Sequence, residues 1–261
     1  GLGDVYKRQI FNLSNICLSA STSIAGMSVA FPVGCGLALV LGVINNLRVE
    51  MSQGALKSNL TLLAIGVALV VVAVILNGIA SGKKAGNAEI SKADQRKGII
   101  LAVVAGVVMS FFSSFVMKAM DLKDFANMEP GKVGPYTAIV VFSLAVLVSH
   151  FVFGPIFMKW PFQGAPVKMS EYFKGNSKTH LVGMLGGCIW CLGTALSYIA
   201  AGKAGASVSY ALGQGAPMVA AIWGVFVWKE FKGSNKTVYN LLGMMFLFFI
   251  VGLGMIVAAG M

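Results

Sequence analysis

The chain has 261 residues, of which 57% are hydrophobic and only 11% charged, and its mean hydropathy is +0.82. Soluble chains carry about 25% charged residues, so this composition excludes a cytosolic enzyme, a disulfide scaffold and a disordered chain, and points to an all-α polytopic membrane protein. The formal charge of +11 is read as Lys and Arg in loops facing the cytoplasm, not as a nucleic-acid surface.

Residues 1–9 lack an initiator Met and read as a non-native leader. Beyond them, a spanning helix needs about 20 mostly apolar residues. On that basis the expected spans are a short first segment at 10–20, then 24–45, 60–79, 98–117, 137–158, 181–201, 204–228 and 238–259. Residues 80–97 form the most polar linker. It divides a first part, 10–79, from a second, 98–261. The loops at 119–136 and 159–180, rich in Gly, Pro and Lys, are expected on the membrane surface. Loops 80–97, 159–180 and 229–237 hold twelve of the twenty basic residues. The positive-inside rule puts that face in the cytoplasm and the C-terminus outside.

An internal repeat shapes the rest of the reading. At an offset of 179, Ala25-Gly26-Met27-Ser28-Val29-Ala30-Phe31-Pro32-Val33-Gly34-Cys35-Gly36 aligns with Ala204-Gly205-Ala206-Ser207-Val208-Ser209-Tyr210-Ala211-Leu212-Gly213-Gln214-Gly215, with six identities. The same offset pairs Asn15 with Thr194. The two copies lie five helices apart, so they cross the membrane in opposite directions. That is the inverted repeat in which transporters place a midplane site. A five-helix unit makes 98–261 a complete second repeat (helices 6–10) and 10–79 the remainder of the first (helices 3–5). Eight helices are thus expected here, out of ten in a 5+5 architecture.

The catalytic inventory is thin. The nine carboxylates fall in loops or at helix ends, and Glu50, Lys118, Lys229 and Glu230 are expected to be solvated or to face headgroups where helices meet the polar boundary. Cys188 and Cys191 have CxxC spacing without a second ligand pair and read as small packing residues. No enzyme activity, cofactor or metal site is argued.

Uncharged polar residues do recur inside the spans. Ser207, Tyr210, Gln214 and Pro217 are spaced 3, 4 and 3, which sets them on one stripe of the seventh helix. Gln214 both donates and accepts, and Pro217 frees a carbonyl of the preceding turn. The first-repeat equivalent (Ser28, Phe31, Cys35, Ala38) is less polar. The sixth helix offers Trp190, Thr194, Ser197 and Tyr198, and the fourth offers Ser110, Ser113 and Ser114. Hydroxyls that bond their own helix are the competing explanation for each Ser and Thr. His150, inside the fifth helix, is the proton-coupling candidate because intramembrane ionisable groups are functional candidates and its charge changes near neutral pH.

The run WCLGTALSYIAAGKAGASVSYALGQGAPMVAAIWGVFVWKEFKGSNKTVYNLLGMMFLFFIVG resembles the closing portion of the ureide permease family. FNLSNICLSAS and IAGMSVAFPVGCGLALVLG resemble bacterial glucose/ribose porters. Both families belong to the drug/metabolite transporter (DMT, EamA-like) superfamily of ten helices in a 5+5 inverted repeat. The resemblance implies a permease in the inner membrane of a bacterium that takes up a small neutral polar solute, a sugar or an allantoin- or pyrimidine-like compound, with protons. It carries Asn15, Thr194, Gln214 and Pro217 as substrate contacts, beside Ser110, Ser113, Trp190, Tyr198, Ser207 and Tyr210 from the pattern above. A homodimer through Gly/Ala-rich helix faces is a further expectation. The alternatives are a non-transporting sensor or scaffold and an exporter of the same superfamily. Two departures stand out: the family's Gly-Glu after the seventh helix reads Lys229-Glu230, and many superfamily members keep both termini in the cytoplasm.

Overall fold

The computed structural model describes residues 10–85 and 91–261. The expected leader at 1–9 lies outside the described residues, as do the side chains of Ser28 and Phe31. The described residues form helices and no strand: α1 (Ile10–Ala25), α2 (Met27–Gln53), α3 (Leu60–Ala85), α4 (Lys92–Ala119), α5 (Pro135–Lys159), a surface turn α6 (Met169–Phe173), α7 (Ser177–Ala204), α8 (Ala206–Gly213), α9 (Ala216–Ile222) and α10 (Lys236–Ala259). Among the described residues, seven segments are long and apolar enough to span, with α8, α9 and the π-helical turn Trp223–Val227 counted as one. The 16 residues of α1 reach only about 24 Å at 1.5 Å per residue, short of the roughly 30 Å hydrocarbon core.

Local chemistry explains the boundaries. The Ser91 side chain accepts the Asp94 N–H and donates to the Asp94 carboxylate, which starts α4 inside the stretch expected as a linker. Because α3 also runs on to Ala85 through Lys83 and Lys84, that stretch is mostly the ends of two helices. Asn176 and Asn235 cap α7 and α10 in the same way. Two tight joints depend on glycine. Gly26 (φ 80°, ψ 163°) separates α1 from α2, and Gly205 (φ 90°, ψ 154°) separates α7 from α8. Positive φ with extended ψ is open only to glycine, and these two residues are partners at the 179 offset. Lys229 takes φ 53°, the left-handed region that favours glycine, at the position where the resemblance expects Gly.

Helix α2 is central, packed on α1, α3, α4 and α8, while α3 pairs along its length with α10. Small residues permit this closeness. A Cβ on Gly66 would lie 2.8 Å from the Gly252 carbonyl oxygen, and one on Gly252 would lie 2.9 Å from that of Gly66. Helices α5 and α7 are peripheral. On α7 only Tyr198 and Ala201 are buried, and Gly183, Gly186, Gly187 and Gly193 all face open space.

The two ends of the bundle differ. The basic end carries the Gly26 joint, the end of α3, the start of α4, and the joints at 160–176 and 228–235. Here the Lys97 ammonium donates to the Phe162 carbonyl, Ser23 to Gln163 Oε1, and Lys84 lies over the Phe231 ring. A second set of ties lies at the opposite end. The Asn59 N–H donates to the Ala259 carbonyl at 2.7 Å, Lys57 to the carbonyls of Gly202 and Leu122, and Gln53 both donates to the Met117 carbonyl and accepts the Leu122 N–H.

Candidate solute site and its polar spine

The buried polar groups are organised along α2. Asn45 donates to the Ser110 carbonyl and hydroxyl oxygens, both at 3.3 Å, and the Ser113 hydroxyl donates to Asn46 Oδ1 at 3.4 Å. One turn further on, Glu50 meets α8. Its Oε1 accepts the Ser207 N–H at 2.8 Å, and both carboxylate oxygens accept the Ser207 hydroxyl at 3.0 Å. Tyr210 donates to the Ala38 carbonyl at 3.0 Å, its ring edge and hydroxyl against Gly42 where any side chain would collide. Four expected site residues, Ser110, Ser113, Ser207 and Tyr210, therefore converge on one helix. Asn45, Asn46 and Glu50, which complete the ladder, were not among the expected residues.

Glu50 corrects an expectation. It is not solvated at the boundary but fully buried, at 0% exposure. The reason is that α2 does not stop near Asn45 but continues to Gln53, which carries the carboxylate under the start of α8. An ionised group in such a place requires partners, and the first turn of α8 supplies them along with its N-terminal dipole.

The stripe expected on the seventh helix is divided. Helix α8 ends at Gly213, a turn at Gln214 and Gly215 follows, and α9 restarts at Ala216. Ser207 and Tyr210 face α2, whereas the half-buried Gln214 and Pro217 sit at the break. Pro217 has no N–H to return to the Gly213 carbonyl, and the N–H groups of Gln214 and Gly215 turn back to Ala211 and Leu212. A break in a spanning helix is tolerated where its backbone is buried in protein or lines a cavity. The π-helical turn that follows is a second irregularity in the same span.

Aromatic rings form a second cluster. Trp190 stacks on Phe11 (centroids 5.1 Å, 23°), Phe142 lies 5.9 Å from Trp190 and 6.2 Å from Tyr198, and Phe112 closes on Phe11 at 4.6 Å. Trp190 keeps 43% of its surface exposed. Thr194 donates to the Trp190 carbonyl of its own helix, and Ser197 exchanges a 2.9 Å hydrogen bond with Ser209.

Asn15 lies elsewhere. It lines a cavity of about 340 Å³ at the basic end, together with Ser19, Ser23, Phe157, Phe162 and Gln163. Phe157 and Phe162 stack at 5.0 Å. Two amides, two hydroxyls and a pair of rings suit a small flat solute that both donates and accepts. His150 is on the exposed outer surface of α5, its ring beside Gly154. Among the described residues no cluster of His, Cys, Asp or Glu could hold a metal.

Comparison with known proteins places this architecture. The ureide permease family model matches residues 89–259. Ureide permease 1 of Arabidopsis thaliana is 27% identical over 163 residues, which cover 62% of this chain and 42% of that protein. Ureide permease 2 of the same plant is 24% identical over the same length, 62% of this chain and 41% of the relative. The matched region thus spans about two fifths of these relatives. No solved structure matches. The matched segment runs from the start of α4 to the last turn of α10, taking in the broken span and the aromatic cluster's α5 and α7 members, and on that basis the chain belongs to the ureide permease family.

Proposed function

We propose that the chain is the core of a secondary active permease that moves a small, neutral, polar solute of the ureide type by alternating access. The family match over 89–259 carries this reading. The structure supplies chemistry that suits it. A ureide presents N–H donors and carbonyl acceptors in alternation, and the groups available to it, Asn15, Gln163 and Gln214, are amides with the complementary pairs. No fixed charge enters the α1–α5 cavity, as a neutral solute requires.

The inverted repeat is part of the proposal. Gly26 and Gly205 share one unusual backbone conformation at the joints that open the two aligned helices. The copies have diverged: α2 passes Pro32 unbroken, whereas its partner breaks at Gln214. Alternating access then means rocking of one repeat against the other about the middle of the α2–α8 contact, where Tyr210 meets Ala38 and Gly42. In this arrangement the basic end is open and the opposite end tied shut. Proton coupling and a place in the drug/metabolite transporter superfamily complete the reading.

The test is uptake by the full-length protein in proteoliposomes, with labelled allantoin competed by uracil, glucose and ribose. Competition by uracil and not by the sugars is expected. Gln214→Ala should abolish uptake while the protein inserts normally, and Asn15→Ala should raise the half-saturating concentration about tenfold, the loss of roughly one hydrogen bond's worth of binding. Full transport by Gln214→Ala would remove that residue from the site.

A further inference from the structure

Among the described residues inside the spans, Glu50 is the one carboxylate fully withdrawn from the surface, and it joins the two parts of the chain that transport must separate. It belongs to α2, while its partner Ser207 opens α8, 157 residues later. The fit is close: a Cβ on Gly205 would lie 2.6 Å from Glu50 Oε1, so the positive-φ glycine that starts α8 also makes room for the carboxylate. Its surroundings hold little other charge. Lys57, on the loop after α2, turns its ammonium to the carbonyls of Gly202 and Leu122. Tyr210 lies one turn into α8 and Tyr198 is buried on α7, while the buried faces of α3 and α4 contribute no ionisable group.

We propose that Glu50 is the proton-binding residue of the transport cycle and the latch of the closed end. Ionised, it accepts the N–H and O–H of Ser207 and holds α8 against α2. Protonation adds one proton, taken from the water at that end, to a carboxylate oxygen. That oxygen then becomes a donor, the negative charge at the α8 N-terminus disappears, and the bonds from Ser207 weaken. Return of the proton to water on the other side restores the latch. The inference rests on the permease reading for its role in transport. Proton binding itself can be read without transport.

Two measurements on the full-length protein decide it. In proteoliposomes, Glu50→Gln is expected to lose accumulation of labelled allantoin driven by an imposed pH gradient by tenfold or more, while keeping allantoin counterflow at equal pH. A variant that still accumulates allantoin like the parent protein overturns the proposal. In infrared pH-difference spectra, the parent should show a carboxylic-acid carbonyl band that is missing in Glu50→Gln and that half-forms about one pH unit higher in Ser207→Ala, which removes a donor to the ionised form but leaves the carboxylate. An unchanged band in both variants also overturns it. A parent protein that moves no allantoin counts against the permease reading, and the infrared band still decides Glu50.

Discussion

Asp121 shows how single side chains hold the closed end. It sits in the loop after α4, and its carboxylate accepts the N–H of Glu129 at 2.7 Å, of Lys123 at 3.0 Å and of Asp124 at 3.4 Å. These bonds, that of Glu129 foremost and with help from the Lys123 charge, hold its carboxyl below the ordinary carboxylate range. The sign follows from linkage. A group whose folded value is depressed stabilises the fold fully above its unfolded value, and that contribution fades as pH falls through the folded one. Thermal unfolding in detergent should therefore show stability lost on acidification below the ordinary Asp value. Asp121→Asn should be less stable at neutral pH and show a shallower acid decline. Equal acid profiles for the two proteins would remove Asp121 from the account.

At the scale of elements, the joints matter more than the helices they connect. Gly205 bears two constraints, a backbone angle closed to other residues and the Glu50 carboxylate in the space a methyl would need. Gly233 has a similar φ of 83° but open space around it. Gly205→Ala should thus cost more than the roughly 1–3 kcal/mol of backbone strain that Gly233→Ala should show alone. Comparison of the two by thermal unfolding isolates the contact with Glu50, and equal losses would show that the contact contributes nothing.

These joints also show what could be read from sequence. Long apolar runs place α3, α4, α5, α7 and α10 within a few residues, because burial in lipid imposes one composition over a whole span. Gly26 and Gly205 stood out in the sequence alignment, and both joints do need glycine. The end of α2 was not legible. Asn45-Asn46 looks like a polar boundary, whereas in the fold both amides are consumed by α4 and by the Gly42 carbonyl. Treating that pair as a terminus hid Glu50, although its spacing of four from Asn46 puts both on one face. The break at Gln214 was equally hidden, since a stripe assumes a continuous helix and only the Gln-Gly-Ala-Pro sequence hints otherwise.

Across the whole molecule, charge and openness coincide. The end that holds most of the Lys and Arg is also where two cavities lie, the α1–α5 cavity and a smaller one of about 290 Å³ lined by Lys83, Lys84, Glu230 and Lys232. The positive-inside rule assigns that end to the cytoplasm, which would make this arrangement inward-open and put Glu50, as the latch, at the far side. Orientation can be measured directly. With Cys17, Cys35, Cys188 and Cys191 replaced by Ser or Ala, single cysteines at Ser234, on the basic end, and at Asn127, on the opposite end, should react with a membrane-impermeant maleimide from opposite sides of sealed cells and inverted vesicles. Ser234→Cys should react only in inverted vesicles and Asn127→Cys only in intact cells. The reverse pattern would place the basic end outside and the C-terminus in the cytoplasm. The same structure would then be outward-open, and the proton that releases Glu50 would have to come from the cytoplasm. A single labelling experiment thus fixes the direction in which the latch operates.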